Sequence, residues 1–273
     1  MPRPGLPKLV ATDLDGTIVR SDDTVSAFTH EVLNRVRAAG IPIVGATGRG
    51  PRLAELTRND IRDADFLVMA NGGRVVDQTD PLDPIVLRDA RLSGQVLASV
   101  LVDLEAAVGP LNVMVEALDG HDEPLWGDAD PAWRYPDRFE PRSRADCLAG
   151  DVLKAFARAP GHDVDELLAA AHRIVASSAA NVTQAGLGFI EILPPGVDKA
   201  TGLAVVTEAI GVDPGDVLVF GDMPNDLPMF SWAGWGKVAV ANAHPLVRAA
   251  ADEITLSNDE DGVAVYLDRL LSR

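Results

Sequence analysis

The amino-acid sequence predicts an α/β protein, a doubly wound parallel sheet carrying an inserted α+β unit. The first part of the chain alternates short apolar runs with helical patterns, and the last part repeats that rhythm. Between them the pattern changes to several strands around one helix, the signature of an antiparallel sheet. Taken in order, Lys8–Thr12 is short and nearly all apolar, as expected of a strand buried on both faces. Ser26–Ala39 has helical spacing and closes on Gly40, expected as its cap. Ile41–Ala46 and Phe66–Ala70 supply the next two strands and complete the opening of a Rossmann-like core.

Leu92, Val96, Val100, Leu101, Leu104 and Val108 then recur at helical spacing. Asn112–Ala117, Val152–Ala157, Asn181–Gln184 and Leu187–Leu193 read as strands, interrupted by a helix over Val164–Val175. Ala185-Gly186 joins the last two strands as an expected hairpin. The Pro- and Asp-rich stretch Asp119–Arg144 reads as a long surface excursion. The core rhythm resumes with Ala200–Ile210, Val217–Phe220, Pro224–Trp232, Lys237–Ala241 and a last helix near Gly262–Leu271. Asp80-Pro81, Asp83-Pro84 and Pro194-Pro195-Gly196 punctuate the chain, placing the crossings near 78–90 and 194–197. The expected division is therefore a core of residues 1–78 plus 195–273 and an inserted unit of 79–194.

The 24 basic and 41 acidic side chains among 273 residues leave a net charge of −17, which argues against a chain that grips nucleic acid by its phosphates. Hydrophobic residues make up 47%, ample for a core, and exclude disordered and fibrous classes. The uncharged run Ile174–Ile190 is interrupted by Ser177, Ser178, Asn181, Gln184, Gly186 and Gly188, so no membrane span is expected. Arg3, Lys8 and Asp13 flank an apolar stretch too short for a signal peptide, and the lone Cys147 has no disulfide partner in the chain; the expected compartment is a reducing cytoplasm.

The residues that carry chemistry fall at strand ends, where ligands of doubly wound sheets bind. Asp13-Leu14-Asp15-Gly16-Thr17 follows the first strand; one carboxylate can attack while the other handles a proton. The second strand ends in Ala46-Thr47-Gly48-Arg49, where a hydroxyl and backbone N–H groups suit an anion. Lys199 opens a helix, and Val217–Phe220 ends in Gly221-Asp222-Met223-Pro224-Asn225-Asp226, with three metal-compatible side chains. His121, His162, His172 and His244 lack zinc-ligand spacing.

These four motifs resemble those of the haloacid dehalogenase superfamily phosphatases, and more closely their Cof-type subfamily. The match runs through DLDGT at 13–17, ATGR at 46–49, Lys199 in GVDKATGL and GDMPNDLPMF at 221–230, and covers effectively the whole chain. Only 34 positions separate Asp13 from Thr47, against 152 between Thr47 and Lys199, so the inserted cap falls in the second interval, as in the Cof type. The resemblance implies Asp13 as nucleophile, forming an aspartyl-phosphate that water hydrolyses, and Asp15 as general acid and then base. It implies that Asp13 and Asp222 bind Mg²⁺ by side chain and Asp15 by its backbone carbonyl, with Asn225 and Asp226 as further or water-mediated ligands. Thr47 and Lys199 would hold the phosphoryl oxygens, and backbone groups of Leu14, Gly16 and Gly48 would complete the cradle.

Arg49 is a candidate substrate contact, although an Arg at a helix start serves equally as a solvated charge; Arg52 is expected at the surface. Asn71-Gly72-Gly73 matches the family's Asn-Gly-Ala in part, so Asn71 either binds substrate or shapes a turn. Glu191 and the polar residues of 119–144 either face the substrate or, the favoured reading, form solvated surface, and Trp126 and Trp133 either line a leaving-group pocket or, the favoured reading, serve as apolar packing. The expected function is a Mg²⁺-dependent phosphomonoesterase acting on a small phosphorylated metabolite such as a sugar or polyol phosphate. The alternatives are a phosphotransferase or sugar phosphomutase using the same phospho-aspartate, and, further off, a receiver-like or inactive phosphate-binding module.

Overall fold

The computed structural model describes residues 5–117, 120, 122–129, 138–184 and 186–272. The chain runs from β1 (Leu9–Thr12) through α1 (Ala27–Ala38), β2 (Ile43–Ala46), α2 (Ala54–Asp60) and β3 (Phe66–Met69) into a hairpin of β4 (Arg74–Asp77) and β5 (Ile85–Asp89). A second unit follows: α3 (Gly94–Val108), β6 (Asn112–Glu116), β7 (Leu125–Gly127), β8 (Phe139–Pro141), α4 (Arg144–Cys147), β9 (Lys154–Arg158), α5 (Val164–Ile174), β10 (Asn181–Gln184) and β11 (Ile190–Leu193). The return comprises α6 (Lys199–Ile210), β12 (Val217–Gly221), α7 (Leu227–Trp232), β13 (Gly236–Ala239), α8 (Pro245–Ala250), β14 (Glu253–Ile254) and α9 (Gly262–Leu271).

The first sheet has the order β14-β13-β12-β1-β2-β3-β4-β5, parallel as far as β3 and antiparallel beyond it. Successive strands after β1 move outward to one side, and β12 returns to its other side, so the topological switch lies between β1 and β12. Their paired ends, Thr12 and Phe220, deliver Asp13 and Asp222 to the same crevice. The four residues of each of β1, β2 and β3 are fully buried, which explains their unbroken apolar character. α1 is capped by Ser26, whose side chain accepts the Thr29 N–H. At its other end Gly40, at φ +79°, sits one residue past the cap; its N–H meets the Arg37 carbonyl and that of Ile41 the Val36 carbonyl, a Schellman ending.

The second sheet has the order β10-β11-β9-β6-β7-β8, antiparallel except for β7–β8. Leu97, Val100, Leu101 and Leu104 of α3 and Leu167 and Ala171 of α5 pack on one face with Val113, Val115, Ala155, Ala157, Ile190 and Ile192. Strand alternation sends Glu116, Lys154, Phe156 and Glu191 to the opposite face, towards the first sheet.

Three expectations need correction. Residues 85–89 belong to the first sheet, so the chain crosses between Asp89 and Gly94, not at 79. The two Asp-Pro pairs shape the β4–β5 turn; the charges of β5 and its register shift against β4 at Val75/Val76 are edge-strand features that blur its alternation. The stretch 119–144 is more than a surface excursion, since β7 and β8 extend the second sheet and Leu125 is buried with Met114, Phe156 and Phe189. β10 and β11 do pair antiparallel, but β11 starts at Ile190, so the link is longer than two residues. Ala185, like Asp119, His121 and Trp133, lies outside the described residues.

Candidate active site

Asp13, Asp15, Gly48, Arg49, Lys199 and the 222–226 loop converge at the carboxyl ends of β1, β2 and β12, as the sheet order requires. Asp13 is buried, and its Oδ1 accepts from Lys199 Nζ at 2.5 Å. Lys199 is the first residue of α6, fully buried, and also donates to Asp226 Oδ1 at 2.7 Å. The helix is fixed there by a capping box in which Asp198 accepts the Thr201 N–H and the Thr201 hydroxyl lies against the Asp198 backbone. Asp226 Oδ2 in turn accepts the backbone N–H groups of Asp222 and Met223, so this carboxylate orients the loop from within.

Asp13, Asp222 and Asp226 each present an oxygen within 4.8 Å of the others, all buried. Burial pushes Asp13 up to about 6, helped by the charges of Asp226 and Asp15 and opposed by Lys199. Asp222 is raised well above the usual carboxylate range by burial and by the neighbouring Asp13 and Asp226. For Lys199 burial works downward, but the two carboxylates outweigh it and hold the ammonium above its ordinary value. The Thr17 hydroxyl steadies Asp222 Oδ1 at 2.7 Å. Gly16, at φ +82°, lets the backbone turn beneath that group; a Cβ there would stand 2.5 Å from Asp222 Oδ2. Leu14 is completely buried, which anchors the loop on the core.

Thr47 lies directly after β2, buried, with its hydroxyl accepting the Arg49 N–H at 3.1 Å. Arg49 forms a two-pronged ion pair with Asp15, at 2.6 and 2.8 Å, and bonds Asp60 of α2 at 2.6 Å. It lines the cleft, yet its donors engage protein carboxylates. Asn71, at φ +51°, is buried; its Nδ2 donates to Glu191 Oε2 at 2.7 Å and its Oδ1 accepts from Asn225 Nδ2 at 3.0 Å. The Asn225 Oδ1 is buried and accepts no hydrogen bond.

The second sheet covers this crevice. Lys154 Nζ donates to the Gly48 carbonyl and to Glu191 Oε1, joining the inserted unit to the second motif. Between the two sheets lies a narrow cleft, with Asp13, Asp15 and Asn225 on one side and Glu116, Lys154 and Glu191 on the other. Arg52, expected at the surface, is 3% exposed and lines the cleft; Glu191, read as solvated, is also 3% exposed. Glu116, Lys154 and Phe156 were not singled out by their sequence. A signal existed, because Glu116, Lys154 and Glu191 are charges next to the buried apolar residues of their strands, where an unpaired charge is costly. Trp126 packs partly buried against the second core under the Arg142 guanidinium. His172 bonds the Val182 carbonyl and His244 caps α8. Among the described residues the only metal-compatible cluster is the aspartate triad.

Residues 10–116 and 134–267 match the family model of the haloacid dehalogenase-like hydrolases, and the chain belongs to that family. The chain is 28% identical over 290 aligned residues to the 5-amino-6-(5-phospho-D-ribitylamino)uracil phosphatase YwtE of Bacillus subtilis, covering 97% of this chain and 98% of that one. It is 28% identical over 269 residues to the phosphoglycolate phosphatase of Archaeoglobus fulgidus, covering 97% of each. Its fold matches the subclass IIB sugar phosphatase BT4131 with a TM-score of 0.79 at 19% identity, over 96% of this chain and 98% of that one. Fold, motifs and relatives together make it a phosphatase of the Cof type, related to enzymes of small phosphorylated metabolites.

Proposed function

We propose that the protein is a Mg²⁺-dependent phosphomonoesterase of a sugar or polyol phosphate, working through a phosphorylated Asp13. The observation that carries the reading is the buried Asp13 held by Lys199 beside Asp222 and Asp226, at the floor of a covered cleft. Asp13 attacks phosphorus, the ester P–O bond breaks, and Asp15 passes its proton to the departing oxygen. Water then attacks the phosphoryl group, Asp15 takes up its proton, and the bond to Asp13 breaks. Lys199 and Thr47 neutralise and orient the phosphoryl oxygens, with backbone N–H groups near Leu14 and Gly48. Arg49, tied to Asp60, fixes where the Asp15 carboxylate stands.

The donor set fits Mg²⁺: three buried carboxylates crowd together, two of them raised by burial and by one another's charge, and the Asn225 amide oxygen lies buried without a donor. Asp13 and Asp222, with the Asp15 carbonyl and with Asn225 and Asp226 around them, would hold the ion, whose charge lets a phosphate approach these carboxylates. Asp226 contributes chiefly by orienting, since both its oxygens already accept hydrogen bonds. Two relatives named for a ribityl phosphate and a glycolyl phosphate support a small phosphorylated substrate. Phosphate release from a panel of phosphorylated metabolites tests the reading: the wild type should hydrolyse several and Asp13→Asn none. Activity of Asp13→Asn within tenfold of the wild type, with Mg²⁺ present, would refute the covalent route.

A further inference from the structure

The leaving-group half of the cleft contains a buried carboxylate that the catalytic reading leaves unused. Glu116, the last residue of β6, is 1% exposed and lines the cavity. Neither of its carboxylate oxygens accepts a side-chain hydrogen bond, and the groups around it are the Lys154 ammonium and Arg52, whose backbone N–H also approaches it. Such a group is costly to bury and calls for a partner. Its cross-strand neighbour Lys154 does not supply one, because the Lys154 ammonium is committed to Glu191 and the Gly48 carbonyl. Glu191 is likewise engaged, by Lys154 and Asn71. The backbone makes room for the carboxylate: a methyl group at Gly50 would collide with it.

We propose that Glu116 reads the leaving group, accepting hydrogen bonds from its hydroxyl or N–H groups and disfavouring a second anion, so that the substrate is a donor-rich monophosphate such as a polyol phosphate. This rests on the phosphatase reading and assigns the specificity of the same cleft. Burial holds Glu116 above the ordinary carboxylate range, while Lys154 and Arg52 draw it back towards the charged acceptor. Phe156 and Leu187 provide apolar walls for the carbon skeleton, leaving Glu116 to select by hydrogen bonding. A carboxylate or second phosphate on the leaving group would meet the buried Glu116 carboxylate, which already shares the attraction of Lys154 and Arg52. A hydroxyl pair would instead satisfy both oxygens.

The test compares kcat/KM for D-ribitol 5-phosphate, 2-phosphoglycolate and p-nitrophenyl phosphate, with Mg²⁺ present. The wild type should favour ribitol 5-phosphate over phosphoglycolate by at least about tenfold, the lower end expected when a buried polar group is left unpaired. Glu116→Gln keeps the shape and removes the charge. It should lose about tenfold more on ribitol 5-phosphate than on p-nitrophenyl phosphate, and narrow the gap to phosphoglycolate. Equal losses on all three substrates would show a structural role and overturn the proposal. So would a wild type that prefers phosphoglycolate, a result that does not depend on the variant folding. If the wild type turns over none of the three, p-nitrophenyl phosphate included, the phosphatase reading itself fails and the subsite with it.

Discussion

Asp15 shows how much a single side chain depends on its neighbours. Arg49 grips it through two hydrogen bonds and is itself held by Asp60, so the proposed proton carrier is positioned by a residue on α2. Asp15→Asn keeps the backbone carbonyl but cannot transfer a proton. A sugar alkoxide leaves badly unprotonated, whereas p-nitrophenolate gains little from an acid, and general acid catalysis contributes about 10²–10⁴-fold. Leaving-group release in a single turnover should therefore fall much further for a sugar phosphate than for p-nitrophenyl phosphate; equal losses would assign the acid to another group. The aspartate cluster gives a second residue-level expectation. Asp13 and Asp222 are raised in the fold above their unfolded values, so without metal the native state binds the extra protons and loses stability as pH climbs through about 6. Mg²⁺ must displace those protons, and its gain in melting temperature over an EDTA-treated sample should be larger at pH 7 than at pH 5. An equal gain at both would separate the metal from these carboxylates.

At the scale of elements, the corrected stretch 119–144 is open to test. Leu125 of β7 is fully buried with Met114, Phe156 and Phe189, so Leu125→Ala should cost about 2–5 kcal/mol in denaturant unfolding. A side chain on a solvated excursion would cost about 0.5 kcal/mol or less. The contrast explains what was legible in the sequence. The core strands announce themselves because burial on both faces demands unbroken apolar runs, and the motifs stand out because Asp13, Thr47 and Asp222 each directly follow one, while Lys199 opens a helix after Pro194-Pro195-Gly196. β5, β7 and β8 carry no such mark; at an edge or in three residues, pairing rather than composition decides. The cleft face of the second sheet was hidden for a related reason. Glu116, Lys154 and Glu191 are far apart in the chain, and only the pairings Glu116↔Lys154 and Glu191↔Phe156 reveal that they share one surface.

Across the whole molecule, polar contacts among the described residues tie the inserted unit to the core around the cleft, one of them from the Asp122 N–H to the Arg52 carbonyl. Lys154 reaches the Gly48 carbonyl, and Glu191 reaches Asn71, which leads on to Asn225 beside the aspartates. The covalent links are the two crossings, 90–93 and 194–198. A lid hinged there must break the Lys154 and Glu191 contacts to admit a substrate and remake them to exclude water. Lys154→Ala removes the ammonium that neutralises Glu191, and a buried carboxylate stripped of its partner is penalised by about 3–5 kcal/mol where it stays buried. Opening relieves that penalty by hydrating Glu191, so the variant should populate the open arrangement. Arg91 lies in the first crossing, half-buried with its guanidinium near the Asp89 carboxylate and the Ala117 carbonyl. Native-state trypsin should consequently cut after Arg91 faster in Lys154→Ala than in the wild type, while KM for a metabolite phosphate rises. Unchanged cleavage at Arg91 together with an unchanged KM would mean that Lys154 does not hold the two sheets together.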